Sequence, residues 1–204
     1  MENKTLRQFV QELGAQTSTP GGGGAAALTA ATGIALVSMV ANFTVGKKKY
    51  EEVNDEMLQI LEECRRMEDE FLFAIEEDAR VFSTIMDAMA MPKETDEEKR
   101  LRAVQMQASF KEGAVIPFAL GERAAHIIPL AKAVVERGNK NLITDGAIAV
   151  LHAQTAVRSA FYNVRINLQS IKDAEFIALY ETKMKDIETM VEVEGAAILS
   201  GIQL

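Results

Sequence analysis

Three groups of residues in this chain have types and spacings that could do chemistry. The sharpest is Asp78. Val53, Met57, Ile60, Cys64, Met67, Phe71, Ala74, Asp78, Val81, Ile85 and Ala88 follow one another at alternating steps of four and three, the spacing of an apolar helical seam. An acid on such a seam must be paired, hydrogen-bonded or protonated. Burial raises the pKa of a carboxyl group and suits it to take or give a proton. The alternative is a helix that has rotated by residue 78, leaving Asp78 in water beside Glu76 and Glu77.

The second group is the glycine run. Pro20 is followed by Gly21, Gly22, Gly23 and Gly24, and then by Ala25-Ala26-Ala27. A phosphate-binding P-loop needs Lys-Ser or Lys-Thr after its last glycine, and neither is there. A dinucleotide loop needs a preceding strand, and none is readable. What remains is a helix start whose bare backbone N–H groups can meet an oxygen or an anion. A tight turn that lets the helix pack closely would use the same residues.

The third group is a stripe of small and polar residues near the C-terminal end: Asp145, Ala149, His152, Ala156, Ser159 and Asn163, extended one turn by Asn167. Small residues leave space, while amides and imidazole supply directed hydrogen bonds. Such a stripe lines a pocket or packs helices together, and a lone histidine is commonly a hydrogen-bonded packing residue. Arg158, Tyr162, Arg165, Gln169 and Lys172 run beside it. Lys47-Lys48-Lys49 interrupts an otherwise acidic chain, as a solvated turn or as an anion site for carboxylates. No metal site is expected. His126 and His152 stand outside any Glu-x-x-His motif, one cysteine cannot build a thiolate site, and there is no Gly-x-Ser-x-Gly elbow.

The elements that must position these groups all read as helix. Prolines number four, and no segment alternates with period two. A short helix is expected over 5–13, then a loop over 14–23, a helix over 24–44 and a long helix over 50–91. Thr95 and Glu98 form a capping box for a fourth helix reaching residue 137, which Pro117 and Pro129 should kink or break. Thr144 or its neighbour caps a fifth helix running to 171, and Asp173 caps a sixth ending near 199. The reading is all-α: one domain, 1–204, of long antiparallel helices forming a bundle without sheet.

The chain carries a net charge of −8, which disfavours a nucleic-acid partner. Residues 21–45 lack charge and end in lysines, as a membrane span would, but they are mostly Ala, Gly, Thr, Ser and Asn, so a buried core helix is expected and no membrane partner. Glu2 and Glu12 stand where a secretory leader would be basic. With Cys64 the one cysteine, the expected location is the cytoplasm.

Six pieces in order resemble one family: STPGGGGAAAL, MVANFTVGKKKY, EEDARVF, MPKETDEEKRLR, GNKNLITDGAIA and NVRINLQSIKD. The chain resembles the formiminotetrahydrofolate cyclodeaminase / methenyltetrahydrofolate cyclohydrolase family over nearly its whole length. That family usually has a serine where this chain has Gly24, and a serine where it has Thr144.

The resemblance implies an all-α homodimeric enzyme acting on a reduced folate, polyglutamylated or not, with no metal or redox cofactor. One activity closes 5-formiminotetrahydrofolate to 5,10-methenyltetrahydrofolate and releases ammonia. The other opens the methenyl compound with water to 10-formyltetrahydrofolate. Asp78, Asp145 and His152 are the candidate catalytic residues. Pro20, Gly21, Gly22, Gly23, Lys47, Lys48, Asn163, Arg165 and Asn167 are the candidate substrate-binding residues. The chain ends at Leu204 without room for a transferase, which tilts the expectation towards hydrolysis. A folate-binding relative without turnover, or a helical interaction protein built on the long seam, are the competing readings.

Overall fold

The computed structural model describes residues 4–203, so Glu2 of the leader argument lies outside it. Among the described residues seven α-helices are joined by short connections: α1 (Leu6–Leu13), α2 (Gly22–Asn42), α3 (Asn54–Ala90), α4 (Asp96–Ala125), α5 (Ile127–Arg137), α6 (Ile143–Leu168) and α7 (Ala174–Ser200), with 3₁₀ turns at Lys48–Val53 and Lys140–Leu142. The same residues contain no strand, and the expected all-α bundle is what forms.

α2 and α6 are the central pair. α2 packs on α3 and α6, while α6 also meets α4, α5 and α7. Ala26, Ala27, Ala30, Ile34 and Val37 of α2 are fully or almost fully buried. α2 is long and apolar enough to cross a membrane, and so is the α4–α5 stretch. In the fold, the small residues of α2 bring neighbouring helices close.

The helices run antiparallel. The first turn of α2 faces Asp78 on α3 and Asn163 on α6. At the other end, Thr44, just beyond α2, accepts the Asn139 N–H at 2.9 Å, just before α6. Gln154 of α6 donates to the Val191 carbonyl of α7, and Ser109 of α4 donates to Thr84 of α3. The seam of α3 is used inside the chain: Met57, Cys64, Met67 and Phe71 are almost completely buried. Burial pushes the Cys64 thiol up to about 12, so it stays protonated.

Local signals set most helix ends. Thr5 caps α1, Thr95 and Glu98 form the expected box on α4, and Asp173 caps α7 through the Phe176 N–H. Two expectations need correction. Residues 50–53 belong to the 3₁₀ turn that precedes α3. α6 starts at Ile143 with Leu142 in the cap position and no side-chain cap, because the Lys140–Leu142 turn leads directly into it. α4 continues through Pro117, and the chain breaks at His126, which leaves Pro129 in the first turn of α5, where its missing N–H costs nothing.

Candidate functional site

A cavity of about 370 Å³ opens where the start of α2 meets the later parts of α3 and α6 and the middle of α4. Gly21, Gly22, Gly23, Asp78, Asn163 and Asn167 supply its polar and backbone surface. Phe82, Ile85, Ile116 and Ile166 supply apolar walls. The volume suits one small heterocycle with a few directed polar groups around it.

Asp78 faces this cavity and not open water, which removes the rotated-helix alternative. Its Oδ2 accepts the Gly24 N–H at 3.1 Å. Burial raises its pKa, and the Gly24 hydrogen bond offsets part of the rise. The carboxyl group can therefore hold a proton nearer neutrality than an exposed aspartate can. Glu77 is different: its ion pair with Arg80 lowers its pKa.

The glycines make this approach possible. A Cβ on Gly23 would lie 2.0 Å from Asp78 Oδ1, so a bare backbone is required where the carboxylate rests. Gly21 takes the cap position of α2 without any capping side chain, and the first turn holds no acid. The partial positive end of a 21-residue helix thus points at the cavity. Pro20 is buried behind the loop, its Cβ 3.5 Å from where a Gly24 Cβ would stand.

Asn163 donates Nδ2 to the Ser159 carbonyl at 3.0 Å, and its amide lies against Gly22. Asn167 donates Nδ2 to the Gly113 and Asn163 carbonyls, both at 2.9 Å. Both N–H groups of Asn167 are thus committed to backbone carbonyls of α4 and α6.

The other expected site residues lie elsewhere in the chain. Arg165 pairs with Glu188 of α7 at 2.7 Å. His152 shares a 2.9 Å hydrogen bond with Thr32 on the outer side of the α2–α6 pair, about 16 Å along α6 from Asn163 at 1.5 Å per residue. Asp145 is in the first turn of α6, roughly 27 Å along the helix from Asn163. Lys47 and Lys48 line a separate depression with Glu51 and Asp55 beyond the far end of α2, and Lys47 sits over the Phe43 ring.

Sequence reasoning missed Gly113, Ile116, Phe82 and Ile166 as cavity residues. Pro117 inside a helix was the available signal for Gly113, because a proline frees the carbonyl four residues earlier.

Among the described residues no group of three or more His, Cys, Asp or Glu side chains is placed to hold a metal ion. The fold and site define a helical-bundle protein with a ligand cavity built around one half-buried carboxyl group of raised pKa, amides and an uncapped helix start. The comparisons place it more closely. A family profile described as formiminotransferase-cyclodeaminase matches residues 5–186, and the chain belongs to that family.

A methenyltetrahydrofolate cyclohydrolase from Methylorubrum extorquens is 40% identical over 95% of this chain and 92% of its own length. A formimidoyltransferase-cyclodeaminase from Sus scrofa is 31% identical over 98% of this chain but only 37% of its own length. The solved structure of formiminotetrahydrofolate cyclodeaminase from Thermotoga maritima is 28% identical, with a TM-score of 0.87 and 98% coverage of both chains.

Proposed function

We propose that the chain is a folate one-carbon enzyme that hydrolyses 5,10-methenyltetrahydrofolate to 10-formyltetrahydrofolate. The observation that carries this is Asp78: a carboxyl group of raised pKa at the rim of a cavity that also holds Asn163 and the start of α2. The cyclohydrolase relative supports the hydrolytic direction, since this chain spans 92% of it. The Thermotoga maritima likeness supports the cyclodeaminase reaction on the same site.

The chemistry follows from the groups present. The methenyl carbon bridges N5 and N10 as a cationic amidinium. Water adds to that carbon while Asp78 takes the water proton. The tetrahedral carbon then releases N5, which takes that proton from Asp78, while the hydroxyl proton leaves to the freed carboxylate and on to solvent; the formyl group stays on N10 and one proton is released overall. The ionised form of Asp78 also balances the substrate cation before addition. Phe82 and Ile166 cover the faces of the pterin, and the amide of Asn163 orients its edge. No step needs a metal or redox cofactor, and the single, protonated Cys64 fits a reducing cytoplasm.

The reading includes a homodimer formed through the outer face of α2 and α6. Met39 on α2 and Phe43 just beyond its end, and Ile148, Leu151 and Tyr162 on α6, are exposed. The Thr32–His152 hydrogen bond joins the two faces into one surface. Because α2 and α6 are antiparallel, a two-fold axis across the middle of α2 sets the Lys47, Lys48 and Asp145 end of one copy beside the Gly21–Gly23 end of the other. Lys47 and Lys48 would then reach the anionic glutamate tail, including a polyglutamate, and Asp145 would join the site from the second copy.

Two measurements test this. Loss of methenyltetrahydrofolate absorbance, catalysed by the purified chain, is the expected result; ammonia release from 5-formiminotetrahydrofolate reads the companion activity. A chain that turns over neither overturns the reading. For the dimer, Met39→Glu with Leu151→Glu places like charges on the shared face. Light scattering is expected to show a dimer for the native chain and a monomer for the variant, with turnover falling at least tenfold. A native monomer with full turnover would sink the shared site.

A further inference from the structure

Asn167 of α6, Gly113 of α4 and Pro117 of α4 form one unit. Pro117 has no N–H, so the Gly113 carbonyl, four residues earlier, has no helical donor. Asn167 Nδ2 supplies the missing donor at 2.9 Å. Gly113 gives it room: a Cβ there would stand 2.7 Å from Asn167 Oδ1 and 3.0 Å from Ile85 Cδ1. The same Nδ2 bonds the Asn163 carbonyl one turn back along α6. All four residues line the same cavity.

We infer that Asn167 is a positioning residue that acts through Gly113 and Asn163: it uses the carbonyl released by Pro117 to lock the α4 wall of the cavity onto α6. This rests on the folate reading above, because the wall it fixes is the one that receives the pterin. Wall contacts are made equally by bound substrate and transition state, so their loss appears in KM more than in kcat. The local cause is specific. In a Pro117→Ala chain, the new N–H can bond the Gly113 carbonyl, and Asn167 has less left to do.

The test is a double-mutant cycle of Asn167→Ala and Pro117→Ala, read by KM, kcat and melting temperature. In the native background, Asn167→Ala is expected to raise KM for methenyltetrahydrofolate at least tenfold with kcat within threefold. In the Pro117→Ala background the same change should raise KM less than threefold, and its cost in melting temperature should also shrink. Equal KM costs in both backgrounds would mean that Asn167 touches substrate directly, and the inference fails. A fall in melting temperature with KM unchanged would mean a purely structural role, and it fails again. If Asn167→Ala does not fold, Asn167→Asp keeps the shape without the donor and enters the same cycle. Absence of turnover in the native chain defeats the folate reading instead, and the coupling in melting temperature still judges the Pro117–Asn167 link.

Discussion

Asp78→Asn should abolish most turnover and yet melt at a higher temperature than the native protein at neutral pH. Removing a positioned acid–base group typically costs about 10²–10⁴-fold in rate, and kcat for methenyltetrahydrofolate hydrolysis should fall in that range. The stability gain has a different cause. Burial disfavours the ionised carboxylate, so the folded-state pKa of Asp78 lies above its unfolded value. At neutral pH the native protein holds a partly desolvated charge that the asparagine does not.

The sign can be followed through the titration. Below the unfolded pKa the side chain is neutral in both states and imposes no penalty. As pH rises through the folded pKa, the native protein loses stability relative to the variant. The gap in melting temperature should therefore be widest near neutrality and close as pH falls towards the ordinary aspartate range. Native kcat should decline along the same acidic limb, because the ionised form takes the water proton. A folded Asp78→Asn protein with turnover within tenfold of native would remove Asp78 from the mechanism. One with no pH-dependent gap in melting temperature would remove the buried charge.

Much of this was written locally in the sequence. Capping boxes and the seam of α3 are short-range patterns, and they placed the helices to within a few residues. Asp78 announced itself because a carboxylate interrupts a row of Met, Ile, Val and Phe. The glycine run announced itself because backbone can approach a side chain closely only where Cβ is absent. What was not legible depends on which ends of helices meet. The polar stripe of α6 reads as one face, but a face of 26 residues is about 39 Å long, and only its Asn163–Asn167 end reaches the cavity. Lys47 and Lys48 follow α2 closely in sequence, yet they stand a helix length from its glycines. Arg165 looked free for an anion, and Glu188, on a helix that begins after the next turn, claims it. The Pro117–Gly113–Asn167 link joins residues some fifty positions apart, so no local pattern carries it.

The glycine run yields the second large effect, because its four members are not equivalent. In a helix, Gly→Ala ordinarily stabilises by up to about 1 kcal/mol. Gly23→Ala should do the reverse. Its Cβ would stand 2.0 Å from Oδ1 and 2.4 Å from Cγ of Asp78, so the carboxylate must leave its place. Its hydrogen bond to the Gly24 N–H and its aim into the cavity go with it. Overpacking of this kind costs about 1–3 kcal/mol, a fall of several degrees in melting temperature for a chain of this size. The displaced base should lower kcat/KM by roughly two orders of magnitude.

Gly24→Ala is the control. Its Cβ meets Ile75 Cγ2 and Pro20 Cβ at 3.5 Å, ordinary contact distances, so melting temperature should hold or rise and turnover should stay within about threefold. The decisive comparison is Gly23→Ala in an Asp78→Ala background. There the clashing atoms are gone, and the same substitution should raise the melting temperature. If Gly23→Ala lowers it equally with and without the Asp78 carboxylate, the bare backbone at residue 23 serves some end other than making room for the catalytic acid.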